Sequence, residues 1–173
     1  MNPDFEIRPE QSADVAAVRY VNEQAFEGPD EARIVDLLRE RRKALISLVA
    51  IAGEQVVGHI LFSPVTIEPD NDSLRLIGLA PMAVLPGQQR RGIGSALVEA
   101  GLQRCRELGF DAVVVLGHPE YYPRFGFTRA GAFGLTNEYE ADEAFMVLEL
   151  RSGCLKGIQG LAKYASEFGE AEG

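Results

Sequence analysis

A mixed α/β fold on a mixed sheet is what this sequence predicts, and three observations carry it. Helical periodicity opens the chain. After Leu45 the pattern changes to β-rich runs with a short hairpin signal. A helix then returns between two apolar strand-like segments. Two helices, a β-meander, a strand-loop-helix-strand crossover and further strands do not make a continuous βαβ alternation. The crossover is expected to be right-handed.

The elements follow in order. "DVAAVRYVNEQAF" spaces Val15, Val18, Val21 and Ala25 as one helical face, and Gly28-Pro29 stops it. "DEARIVDLLRER" sets Ile34, Leu37 and Leu38 on one face, with Asp30 as its expected N-cap. "LISLVAIA" and "VVGHILF" are strands joined by Gly53-Glu54-Gln55. "LRLIGLAPMAVLP" is a long extended run, and Pro81, which cannot donate to a ladder, predicts a bulge or an open side. The helix that follows is the clearest element. Ile93, Leu97, Gly101, Leu102, Cys105 and Leu108 share a face, and Gly109 suits its C-terminal end. "DAVVVLG" reads as a buried parallel-type strand, "PEYYPRFGF" as a short helix or turn, and "AFMVLEL" as a strand. Residues 1–150 form one predicted domain. The tail, 151–173, contains "GLAKYASEF", which is read as an added edge strand.

Composition narrows the function. The chain has 173 residues, 46% of them hydrophobic, enough for one domain with a sizeable core. Its net charge of −9 and pI near 4.8 argue against nucleic acid as a partner. No apolar run reaches the roughly 18 residues that span a membrane, and the start lacks the pattern of a signal peptide. Cys105 and Cys154 fall in no metal-ligand spacing, so reduced thiols and a cytoplasmic location are expected, with no metal site.

"LPGQQRRGIGSAL" stands out against that acidic background. Glycines at the mouth of a helix let a ligand approach the main chain. The first helical turn has N–H groups without intrahelical partners, and these favour an anion. Arg90 and Arg91 add positive charge, so the loop chemistry points to phosphate, most simply pyrophosphate. Two known phosphate loops do not fit. Ile93-Gly94 stands where a P-loop needs Lys-[ST], and Leu97 stands where a dinucleotide fingerprint needs its third glycine. A glycine-eased turn with solvated arginines is the bland alternative.

Gln89-Arg90-Arg91-Gly92-Ile93-Gly94 resembles the [QR]-x-x-G-x-[GA] motif of the GCN5-related N-acetyltransferases. "MAVLP" just before it resembles that family's fourth strand, and Tyr122-Pro123-Arg124-Phe125-Gly126-Phe127 its Y-x-x-x-G-F element. The resemblance covers most of residues 5–150. It implies a mostly antiparallel sheet flanked by helices, with one parallel pair splayed around acetyl-CoA as cosubstrate. The backbone of Met82, Ala83 and Val84 would bond the pantetheine arm. Main-chain N–H groups from Arg90 to Ser95, with Gln89 opening the motif, would hold the pyrophosphate. The activity implied is direct acetyl transfer to a primary amine of a small molecule or peptide. A CoA-binding module without turnover is the alternative, and a homodimer is left open.

Acetyl transfer needs a neutral amine, a donor to the tetrahedral oxyanion and a proton for the departing thiolate. Tyr122 aligns with the family's proton donor, and an unperturbed phenol of pKa about 10 is protonated at pH 7. Tyr121 is assigned to packing. No general base is readable. His59, Glu27 and Glu120 are candidates, each weighed against a packed histidine or a solvated carboxylate. Phe26, Glu27 and His59 are the expected acceptor-lining residues. Cys105 lies on the apolar helix face, which argues against a covalent acetyl-cysteine.

Overall fold

A computed structural model describes residues 4–171; residues 1–3 and the last two of the tail lie outside it. The strands and helices are β1 (Glu6–Pro9), α1 (Val15–Phe26), α2 (Asp30–Glu40), β2 (Ile46–Ala52), β3 (Gln55–Glu68), β4 (Leu76–Val84), α3 (Ile93–Glu107), β5 (Ala112–Leu116), β6 (Thr128–Arg129), β7 (Leu135–Asn137), β8 (Phe145–Glu149), β9 (Gly160–Lys163) and α4 (Glu167–Glu170). They fall into two units. Unit 1 takes the chain up to Phe62, Pro81–Gln103 and the residues from Ser166; unit 2 takes Ser63–Ala80 and Arg104–Ala165.

In unit 1 the strands form an antiparallel meander. β1 pairs with β2 from Glu6↔Ile51 to Pro9↔Leu48, and β2 pairs with β3 from Ile46↔Phe62 to Ala52↔Gln55. β1 escapes the sequence reading because four residues, "EIRP", are too few to show a period. Helix α1 buries Val18 and Val21 of its predicted face, and α2 buries Ile34 and Leu38, but Val35 rather than the half-buried Leu37 completes the buried face of α2. Asp30 departs from its expected place. It sits inside the first turn of α2 with Glu31 and makes no side-chain cap, so it acts on the helix dipole by charge alone. Helix α3 packs Ile93 and Leu97 over β3 at Gly58, where a Cβ would lie 3.0 Å from Ile93 Cγ2. A Cβ on Gly101 would overlap the buried ring of Phe62.

A buried clamp joins α4 to the end of α2. Glu167 is 1% exposed, and its carboxylate accepts from Lys43 Nζ at 3.0 Å and Arg41 Nη1 at 3.0 Å. Arg41 also donates to both carboxylate oxygens of Glu170, at 2.6 and 3.1 Å. Burial pushes the Glu167 pKa up, but the bonds from Lys43 and Arg41 outweigh it and leave the group below its ordinary value.

In unit 2, β4 and β5 are parallel, from Leu76↔Ala112 to Leu79↔Val115. β8 pairs antiparallel with β5 and with β6. The "VVVL" run is accordingly buried, as expected of a strand covered on both faces. The far end of β3 pairs antiparallel with β9, which lies in the C-terminal tail, and β9 pairs in parallel with β7. Val65, Leu76, Val114, Leu135, Phe145, Val147 and Leu155 belong to the core of this unit.

Candidate functional site

β4 ends at Val84, and a short 3₁₀ turn, Pro86–Gln88, carries the chain toward α3. Leu85 N–H donates to Val57 O of β3 at 2.9 Å, and Gln89 Nε2 donates to Val84 O at 3.1 Å, which ties the loop to β3 and back to its own strand. Arg90 and Gly92 then adopt left-handed backbone, with φ of 65° and 82°. Only glycine takes that conformation without cost, so Gly92 answers a geometric demand and Arg90 carries strain of about 1 kcal/mol or more. A Cβ on Gly87 or Gly92 would meet nothing within 4 Å, so the space in front of the loop is open. Ile93, 2% exposed, anchors the start of a 15-residue helix.

The first-turn N–H groups of α3 and the positive end of its dipole lie at this loop, a place whose chemistry suits an anion. Arg90 and Arg91 are exposed, and Arg91 donates to Gln88 Oε1 at 3.3 Å. The residues predicted to bind the cofactor, Met82 to Val84 and Gln89 to Ser95, are thus brought together in unit 1 by one turn of chain.

The predicted acceptor-lining residues are not gathered in this way. Phe26 is 40% exposed at the end of α1, and Glu27, exposed, caps that helix with φ of 54°. His59 is fully buried. Its Nδ1 accepts from Asn22 Nδ2 at 3.2 Å, and its Nε2 lies 2.9 Å from Ser47 Oγ, which donates to Glu10 Oε1 at 2.6 Å. Because the serine proton is committed to Glu10, the histidine carries its proton on Nε2. Burial, helped by the Arg39 charge, lowers its pKa to about 3. His59 is therefore the packed histidine of the two sequence alternatives, neutral and bonded on both nitrogens. Cys105 is buried too, and burial pushes its thiol up to about 12, which leaves no thiolate at neutral pH.

In unit 2, Tyr122 opens the 3₁₀ turn Tyr122–Phe125 behind β5. Its ring is 6% exposed and meets Tyr121 and Phe127 edge-on, at 5.1 and 5.7 Å between centroids. Burial, with Tyr121 adding to it, pushes the phenol up to about 12, so it holds its proton throughout the neutral range. Arg124 covers Tyr121, with its guanidinium 4.4 Å from the ring centroid and Nε bonded to Tyr121 O at 2.9 Å, in keeping with a packing role. A cavity of about 260 Å³ opens beside Phe145, walled also by Leu135, Asn137, Glu140 and Asp142. Phe145 pairs with Leu116, the last residue of β5, so this cavity lies at the strand end from which Tyr122 follows.

One residue of the site region escaped the sequence reading. Tyr164, just past β9, donates its hydroxyl toward Leu79 O at 3.4 Å and Val114 O at 3.3 Å, one carbonyl from each strand of the parallel pair. Nothing in "GLAKYASEF" marks it, because its bonds depend on a strand pairing whose carbonyls lie 85 and 50 positions away in the chain. Among the described residues, no cluster of three or more His, Cys, Asp or Glu could hold a metal ion, and no helix is long and apolar enough to cross a membrane.

Comparison with known proteins bears on this arrangement. The family profile described as Acetyltransferase (GNAT) domain matches residues 6–130. The uncharacterized N-acetyltransferase YhbS of Escherichia coli strain K12 is 37% identical over 164 residues, 94% of this chain and 97% of that protein. The uncharacterized N-acetyltransferase YjhQ of the same strain is 40% identical over 117 residues, 66% of this chain and 65% of that one. The crystal structure of Escherichia coli YhbS in complex with CoA is similar with a TM-score of 0.91, at 34% identity, over 98% of this chain and 94% of that one. A GNAT family acetyltransferase from Brucella melitensis, in complex with acetyl-CoA, gives 0.80 at 36% identity, over 95% and 97% of the two chains.

Proposed function

The chain belongs to the GNAT acetyltransferase family, and from that premise we propose that it moves the acetyl group of acetyl-CoA directly to a primary amine of a small molecule or peptide. The observation that carries the reading is the left-handed turn at Arg90 and Gly92, opening on unobstructed space at the start of α3. Solved relatives of similar fold hold CoA and acetyl-CoA.

The residues divide the work as follows. Main-chain N–H groups from Arg90 to Ser95 hold the pyrophosphate, and the two arginines offset its charge. The backbone of Met82, Ala83 and Val84 pairs with the pantetheine arm as an added strand would. A backbone N–H near Val84 receives the oxyanion as the amine attacks the thioester carbon. When the C–S bond breaks, Tyr122 gives its proton to the sulfur. The nitrogen loses its proton to water, since His59 is neutral and enclosed. Burial makes Tyr122 a weaker acid than free phenol, so the sulfur must sit in hydrogen-bond contact for this transfer. A small amine fits the cavity beside Phe145, where the Glu140 carboxylate attracts its ammonium form, while Asp142 is paired with Arg129 at 3.1 Å. The acetyltransferase domain spans residues 1–150 in this reading, and the tail serves it.

Thiol release from acetyl-CoA across a panel of amines, with the Tyr122→Phe variant alongside, tests the proposal. Amine-dependent release that collapses in the variant is expected. Saturable CoA binding without turnover on any amine would instead make the protein a non-catalytic CoA-binding module.

A further inference from the structure

The cavity beside Phe145 is built wholly from unit 2, and its walls have a chemistry of their own. Leu135 and Phe145, 1% and 2% exposed, give it two apolar walls from β7 and β8. Ala141 adds a third, and Gly131 contributes no side chain.

The polar groups around it are mostly committed elsewhere. Asn137 Oδ1 accepts from Tyr139 N–H at 2.9 Å and Ala141 N–H at 3.2 Å, and its Nδ2 donates to Ala141 O at 2.6 Å. Thr136 Oγ1 donates to Gly160 O at 3.3 Å. The Asp142 charge is answered by Arg129 at 3.1 Å. Glu140 is the exception. It is exposed on the cavity wall, and among the described residues its carboxylate has no ion pair and no hydrogen bond.

Size and wall chemistry together define an occupant. An apolar cavity of roughly 150 Å³ holds benzene. This one is about 260 Å³, room for a ring and a short amino arm. Apolar atoms gain by leaving water for Leu135 and Phe145. A polyhydroxyl body would give up water for walls whose Asn137 oxygen and Thr136 proton are already engaged. The ammonium belongs at the mouth, where Glu140 supplies a charge without requiring the cation to shed all its water.

We propose that this cavity takes a small primary amine with an apolar body of ring size, a narrowing of the acceptor class that rests on the reading of the cavity as the acceptor's place. The body fills the space against Leu135 and Phe145, and Glu140 selects the charge.

Direct binding tests this without turnover. NMR titrations on the full chain compare phenethylamine with ethanolamine, which keeps the ammonium and lacks the body, and with phenethyl alcohol, which keeps the body and lacks the charge. Phenethylamine is expected to bind about tenfold or more tightly than ethanolamine, and about threefold or more tightly than the alcohol. Glu140→Gln should bring the second ratio below about twofold and leave the first in place. Ala141→Phe fills the cavity and should weaken phenethylamine by about tenfold or more. Urea melts show whether each variant is folded, and the wild-type comparison with Glu140→Gln decides if Ala141→Phe is not. Ethanolamine bound as tightly as phenethylamine, a charge preference unmoved in Glu140→Gln, or phenethylamine affinity unmoved in folded Ala141→Phe overturns this inference alone. Thiol release from acetyl-CoA is followed with the same amines. Phenethylamine bound as expected but never acetylated overturns the acceptor reading and leaves the ligand class of the cavity standing.

Discussion

The ring of Tyr122 rests against the backbone of Gly117, so closely that a Cβ on Gly117 would come within 2.5 Å of Tyr122 Cε2. Position 117 therefore sets where the phenol points. Gly117→Ala should displace the ring and lower kcat by about tenfold or more, while CoA affinity stays within twofold. Tyr122→Phe, which removes the proton and keeps the ring, should cost about 10²- to 10⁴-fold in kcat. Steady-state kinetics beside CoA calorimetry checks both. A fully active Tyr122→Phe enzyme would remove the acid from the mechanism.

Gly92 separates binding from folding. Its φ of 82° penalises any β-branched side chain, yet no atom crowds the site. Gly92→Val should cost about 1–2 kcal/mol of stability from backbone strain. It should weaken CoA binding by more than tenfold, because the new side chain enters the space the pyrophosphate needs. Urea melts and calorimetry on the same preparation measure the two losses.

Gly101 gives the opposite case, a glycine kept for packing. In an exposed helix, Gly→Ala stabilises by about 1 kcal/mol. Here the added methyl must push the Phe62 ring out of a closed interior, and overpacking costs about 1–3 kcal/mol. Gly101→Ala should be destabilising on balance, and a higher urea midpoint would contradict this packing.

Stability should depend on pH through His59. Its folded pKa is about 3 against 6.5 when unfolded, so between those values the unfolded chain binds the extra proton. The stabilising contribution is present in full above pH 6.5 and is lost as pH falls toward 3, by about 1.4 kcal/mol per unit. From pH 6.5 to 5 that amounts to about 2 kcal/mol. Carboxylates held below their ordinary values, such as Asp14 and Asp111, add a fall in the same direction at lower pH. His59→Gln should flatten the upper part of the curve and leave the lower part. Denaturant titrations at several pH values resolve the two.

The sequence was informative wherever chemistry and period were local. The Gly92 loop, the face of α3 from Ile93 to Cys105 and the "VVVL" strand are written in contiguous residues, and the structure forms each of them; Leu108, expected on that face, falls past the helix end and is 37% exposed. His59 was ambiguous because its state depends on Asn22, Ser47 and Glu10, which are remote in the chain, and no spacing rule reports that network. β1 and β7 are too short to show a period. Tyr164 was invisible for a different reason. Its partners are main-chain carbonyls, which have no letter in a sequence.

The Glu167 clamp can be broken from either side, and the two ways are not equivalent. Lys43 and Arg41 have side chains 37% and 44% exposed, so water takes them back if the acid is neutralised. Removing both cations instead strands an anion in the interior with only a backbone N–H left to it among the described donors, at several kcal/mol. The Lys43→Met/Arg41→Met double variant should accordingly melt well below Glu167→Gln, by more than the exposed Arg41–Glu170 pair it also gives up, which as a surface pair is worth little. Drift at this corner is freer for the acid than for the bases, an inequality of tolerance that no tally of contacts would disclose.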